Sequence, residues 1–140
     1  MNDCIFCDYE SNIDQGRRVF EYMYWRLAIQ QPKKLLETKQ AAGLLISRRH
    51  FIEFSDATDE EVSEFRTIIK DAAERLCDRA KVTYIGQETV GFNQVSDAGQ
   101  TVFHSHIHIL PVAQEDSEEL KNRGGIGGAF EALRRERLER

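Results

Sequence analysis

The sequence has no apolar run approaching the ~20 residues that span a bilayer. It has no basic start followed by a signal-peptide stretch, and no internal repeat or low-complexity tract. These absences lead us to expect a cytoplasmic chain with no membrane partner. A basic cluster is also missing: 19 lysines and arginines stand against 24 aspartates and glutamates, a net charge of −5. Binding long nucleic acid by neutralising phosphates needs the opposite balance, whereas a small phosphorylated ligand needs only a local site. Cysteines are few and odd in number, three in 140 residues, which argues against a disulfide framework. In a reducing compartment Cys4 and Cys7 read as a metal pair rather than a disulfide. Cys77, alone on an expected helix, reads as inert and partly buried. The length fits one domain, with a core at about 4–112 and a C-terminal extension over 113–140. An apolar share of 41% with 31% charged residues suits a soluble globular fold.

Short runs of aromatic and branched residues predict strands at 18–22, 25–29 and 43–47. A polar connection over 30–41 holds Pro32, and residues 10–17 read as a turn. Thr58 followed by Glu61 has capping-box spacing. Val62, Phe65, Ile69, Ala72 and Leu76 then repeat at steps of three and four, predicting a helix from about 59 to 80 with one apolar face. Strands are expected at 83–85 and 89–94, a turn at Ser96–Gly99, and a strand at 102–110 ended by Pro111. The glycine run Gly124–Gly128 reads as a joint before a charged helix at about 129–139; it lacks the Lys-Ser/Thr ending of a phosphate loop. Strands close in sequence around one long helix imply an α+β fold on an antiparallel sheet.

The informative segment is Gly99–Pro111, GQTVFHSHIHILP. Side chains alternate along a strand, so His104, His106 and His108 are expected on one face and Phe103, Ser105, Ile107 and Ile109 on the other. Three of the chain's four histidines fall within five residues. Burying them together is costly unless each finds a partner, so metal binding or catalysis is indicated. A neutral imidazole, the majority form given a pKa near ~6.5, attacks phosphorus to give a reactive phosphoramidate. The preceding turn supplies backbone donors with Gln100 and Thr101, which suits phosphate oxygens. Cys4-Ile5-Phe6-Cys7 is half of a metal site, because structural zinc takes four ligands. There is no second CxxC, and His50 is the one histidine outside the run.

His104-Ser105-His106-Ile107-His108-Ile109-Leu110, with Asn93 and Ser96–Phe103 before it, resembles the histidine triad family over most of residues 4–111. The resemblance implies an antiparallel sheet of about five strands with one long helix, paired into a homodimer. It implies a nucleotide hydrolase or nucleotidyl transferase in which His106 attacks an α-phosphate to form a nucleotidyl-histidine. The substrate would be a dinucleoside polyphosphate, a nucleoside phosphoramidate or an adenylylated compound. His108 would orient or polarise the site, and Asn93, Gln100 and Thr101 would contact phosphate. Family members with an N-terminal CxxC look like zinc proteins, which implies Cys4, Cys7, His50 and His104 as ligands of a closed, structural zinc. Two departures stand out: Ala42 replaces the family's further histidine, and Ser47 its proline. They point to a different substrate or weaker activity. Two other readings remain: a nucleotide-binding module with little catalysis, and a metal-dependent hydrolase using the three triad histidines as ligands.

Overall fold

The computed structural model describes residues 4–30, 41–91 and 104–116. Five strands form one antiparallel sheet: β1 (Arg18–Glu21), β2 (Trp25–Ile29), β3 (Gly43–Ser47), β4 (Tyr84–Gly91) and β5 (His106–Ala113), in the spatial order β1-β2-β3-β5-β4. A one-turn helix, α1 (Tyr9–Asn12), precedes β1, and the long helix α2 (Asp59–Ala80) joins β3 to β4. The expected α+β architecture is therefore present. The connection at 31–40, the turn at 96–99, the Gly124–Gly128 run and the helix expected at 129–139 lie outside the described residues.

Helix α2 begins where its sequence predicts. The Thr58 hydroxyl accepts from the Glu61 N–H at 3.1 Å, and the Glu61 carboxylate accepts from the Thr58 N–H at 2.7 Å. Two of the four unpaired donors of a helix start are satisfied this way. The helix ends at Lys81, which is in the left-handed region with φ 59°. Its buried face carries Ile68, Ala72, Ala73, Leu76 and Cys77, with Phe65 and Ile69 partly covered. Val62, expected on that face, is 39% exposed. The capping box and Arg49 turn the neighbouring Glu61 inward instead, and Val62 is rotated away by one helical step.

Strand β3 is buried at every position because both faces of the sheet are covered. Alternation sends Leu45 to the side of α2, with Trp25, Leu27, Ile107 and Ile109. It sends Leu44 and Ile46 to the opposite side, where Phe6, Tyr9 and Ile13 of the N-terminal segment pack over them and Ala28. Residues 10–17, read as a turn, hold most of α1 and a 3-10 turn at Gln15–Arg17; one helical turn with no side-chain cap leaves too little periodicity to detect.

Three strand boundaries differ from expectation. The segments predicted at 83–85 and 89–94 are one strand as far as Gly91, interrupted by a register shift between Tyr84 and Glu88 that contains Gly86 at φ 80°. Pro111 does not end β5, which runs to Ala113. The Ser47 N–H donates to the Ser105 carbonyl, so the odd-numbered backbone groups of β5 face β3. That pairing stops at Gly43↔Ile109, and Pro111 lacks its N–H where no β3 partner needs it. His104, expected on the strand, lies two residues before it.

Candidate active site and metal centre

The metal-binding atoms of Cys4, Cys7, His50 and His104 lie within 4.8 Å of one another. The Cys7 Sγ is 3.0 Å from His50 Nδ1, and His104 Nδ1 is 3.4 Å from Cys4 Sγ, 3.4 Å from Cys7 Sγ and 3.1 Å from His50 Nδ1. Zinc bonds of ~2.3 Å to sulfur and ~2.0 Å to nitrogen in a tetrahedron require separations of roughly 3.3–3.8 Å. The donor set fits a four-ligand zinc, and these four separations lie in or just below that range, within a cluster no wider than 4.8 Å. The cluster joins residues far apart in sequence: a tight N-terminal turn, the segment after β3, and the residue that leads into β5.

His104 is prepared for this role. Its ring is fully buried, and its Nε2–H donates to the Ser47 carbonyl at 2.6 Å. That fixes the tautomer and turns the Nδ1 lone pair toward the cysteines. Burial pushes its pKa down to about 4, against the opposing pull of the Ser47 carbonyl, so the ring is neutral as a metal ligand must be. Burial also pushes the Cys4 thiol up; a metal must displace its proton to bind. In sequence Ser47 was notable as the residue that stands where the family has proline. Its N–H donates to the Ser105 carbonyl and its hydroxyl to the Arg49 carbonyl, tying the two histidine-bearing segments together.

His106 and His108 open β5 on the face away from α2. Register pairing sets Arg26, Ile46 and His106 in one row across the sheet and Ala28, Leu44 and His108 in the next. Both imidazoles are buried, and their ring centroids are 5.6 Å apart. The His106 Nδ1–H donates to the His104 carbonyl at 2.8 Å, which puts the lone pair on Nε2. Phe6 packs edge-on against His104 at 5.9 Å and against His106 at 5.1 Å. Sequence reading passed over Phe6; its position between two cysteines was the available signal. Tyr9 is buried beside it, with the Arg26 guanidinium 4.5 Å from its ring centre. Ala42 is buried just before β3, in step with Leu44 on the histidine face. Asn93, Gln100 and Thr101, the expected phosphate contacts, lie outside the described residues.

The pattern of the HIT domain family matches residues 38–115, more than half of the chain. The chain belongs to the HIT family. That family is one of nucleotide-binding hydrolases and transferases. An uncharacterized HIT-like protein of Mycobacterium tuberculosis is 30% identical over 114 residues, covering 81% of this chain and 74% of that protein. A bis(5'-nucleosyl)-tetraphosphatase (asymmetrical) of Schizosaccharomyces pombe is 28% identical over 95 residues, covering 62% of this chain and 50% of that protein. Among solved structures, a zinc-bound histidine triad family protein from Mycobacterium smegmatis superposes with a TM-score of 0.59. It is 23% identical, with 81% of this chain and 78% of that one covered, a likeness of fold. No helix among the described residues is long and apolar enough to cross a membrane.

Proposed function

We propose that this HIT protein is a nucleotide hydrolase or nucleotidyl transferase whose nucleophile is the Nε2 of His106. The observation that carries the reading is the bond from His106 Nδ1–H to the His104 carbonyl, which orients the ring and leaves Nε2 basic. Nε2 attacks the α-phosphorus of a nucleotide conjugate. A P–N bond forms, and the P–O or P–N bond to the leaving group breaks as that group takes up a proton. Water or another acceptor then attacks the phosphoramidate, freeing the nucleotide and restoring neutral His106. His108, beside it on the same face, polarises the site, and Asn93, Gln100 and Thr101 hold the phosphate oxygens. Dinucleoside polyphosphates, nucleoside phosphoramidates and adenylylated compounds are the substrate class; the tetraphosphatase among the relatives supports the first. Cys4, Cys7, His50 and His104 hold a structural zinc, which supplies folding energy and no step of the reaction. The zinc-bound mycobacterial structure supports that assignment. The protein works as a cytoplasmic homodimer in this reading.

His106→Ala is expected to cost several orders of magnitude in rate while the fold and the metal content persist. Rapid-quench mass spectrometry on wild type finds nucleotide on the peptide carrying residues 102–110. Full activity of the variant on a substrate the wild type turns over sinks the mechanism. The metal-hydrolase alternative loses ground because the group that gathers metal-binding atoms among the described residues excludes His106 and His108. The weakly catalytic alternative keeps one supporting observation, the small buried Ala42 on the histidine face. Ala42→His is expected to change the ranking of a panel of adenylylated amines and dinucleoside polyphosphates. Identical kinetics across the panel would show that position 42 does not meet the substrate.

A further inference from the structure

Phe6 lies between two residues of the metal cluster and touches the imidazole proposed as nucleophile. In the turn Cys4-Ile5-Phe6-Cys7 the side chains divide: Ile5 is 42% exposed, whereas Phe6 is 6% exposed. The ring of Phe6 stands T-shaped to His104 at an interplanar angle of 85° and to His106 at 71°. Among the described residues, three groups bracket His106. Phe6 packs on it from the N-terminal segment, His108 packs on it at 5.6 Å from the same strand, and the His104 carbonyl accepts its Nδ1–H.

The outer torsion of a histidine is soft and roughly two-fold. A ring flip exchanges Nδ1 with a carbon, breaks the bond to the His104 carbonyl and moves Nε2 away from its working position. The bond to the His104 carbonyl supplies the polar half of the restraint. Phe6 adds the steric half of the restraint. Its own place is set by the residues on each side of it in sequence, because Cys4 and Cys7 both reach the cluster. His104 closes the circuit: its Nδ1 joins the cluster and its carbonyl accepts the hydrogen bond from His106 Nδ1–H. Whatever sits among the four ligand atoms therefore bears on His106 by two routes, one through the His104 backbone and one through Phe6.

We propose that Phe6 is a positioning residue for His106, clamped by the metal cluster on either side of it, so that metal loading fixes the orientation and tautomer of the nucleophile. The inference rests on the assignment of His106 as nucleophile for its catalytic meaning, but its structural test does not. The long-range nitrogen–proton spectrum of the zinc-loaded full chain is expected to show His106 as a single Nδ1–H tautomer. Phe6→Ala, and separately removal of zinc from wild type with a chelator, should each convert that signal to a mixed or exchanging one. Chelation of Phe6→Ala should add less than chelation of wild type, because only the route through the His104 backbone remains. With a turned-over nucleotide conjugate, Phe6→Ala should lower kcat about 10- to 100-fold, the scale of a small misplacement of reacting groups, with a smaller change in KM. Phe6→Tyr, which keeps the aromatic ring, should restore both signal and kcat. Phe6→Leu fills similar space without an aromatic edge and serves if the alanine variant fails to fold; it too should mix the tautomers. A His106 signal unchanged by Phe6→Leu or by chelation overturns the proposal, as does a rise in KM alone, which would make Phe6 a ligand contact only. If His106→Ala proves fully active while the spectra behave as described, the nucleophile assignment fails and the positioning contact stands.

Discussion

Gly43 sits where the long helix presses closest on the sheet. A Cβ added there would lie 2.7 Å from both terminal carbons of Leu76 and 3.0 Å from the Ala28 carbonyl oxygen. Leu76 is fully packed and cannot withdraw without displacing its neighbours. Gly43→Ala is expected to destabilise the protein by about 1–3 kcal/mol, read as a lower urea midpoint with an unchanged slope. A second single-residue effect concerns Glu61, whose carboxylate is buried and takes the Arg49 guanidinium at 2.9 Å. Burial alone would raise its pKa, but the hydrogen bonds from Arg49 and the Thr58 backbone outweigh burial and hold it below the usual carboxylate range. A depressed folded-state value means that stability is gained when the group is ionised. The contribution is complete above about pH 4.5, the ordinary value, and is lost as pH falls through the lower folded value. Glu61→Gln should therefore destabilise the protein at neutral pH and flatten its acid unfolding curve; parallel curves for the two proteins would refute the assignment. At this scale the sequence was readable for the candidate metal ligands: Cys4, Cys7, His50 and His104 do converge. It was silent on Phe6, whose part depends on what it packs against, and marked Ser47 only as a departure from the family's proline.

Among the elements, α2 was the most legible and β5 the least. Helix bounds follow from a cap and a period, both local, and the predicted span of about 59–80 agrees with Asp59–Ala80. Strand bounds depend on partners. Pro111 stays inside β5 because β3 stops pairing at Ile109, a fact no residue near 111 encodes. Val62 was misassigned for a related reason: periodicity locates an apolar face but not which turns of the helix overlie the sheet. The two ends of α2 give opposite expectations. Thr58→Ala removes the capping hydroxyl and should cost about 1 kcal/mol. Lys81→Gly relieves a non-glycine residue at φ 59° and should stabilise by up to about 1 kcal/mol. Thermal melts of the two variants should shift in opposite directions from wild type; a lower Tm for Lys81→Gly would mean that its side chain holds the loop that follows.

For the whole molecule, the covered second face is what sets this fold to work. Sequence alternation correctly separated His106 and His108 from Ile107 and Ile109, but could not say what lies over the histidines. Phe6 of the N-terminal segment lies against His106, the segment packs over Ala28, Leu44 and Ile46 of the same face through Phe6, Tyr9 and Ile13, and its attachment includes the metal cluster. In the proposed zinc reading, ion and fold are linked by mass action. Unfolding stability should rise by about 1.4 kcal/mol for each tenfold increase in free zinc above the dissociation constant. Cys4→Ser should abolish the dependence and leave the protein at the stability of chelated wild type. A melting temperature that ignores zinc, together with metal-free protein by elemental analysis, would remove zinc from the account.

The position of β5 bears on how the chain is made. Among the described residues it is the last strand of the sheet in sequence, yet it sits between β3 and β4. A ribosome therefore displays β1, β2, β3, α2 and β4 before the strand that joins the two parts exists. Until residues 106–113 emerge, β3 and β4 each hold a bare hydrogen-bonding edge beside apolar side chains, the situation that invites pairing with another chain. Synthesis stalled ahead of His106 should release aggregation-prone fragments that bind holdase chaperones, while stalling well beyond Ala113 should release protease-resistant ones.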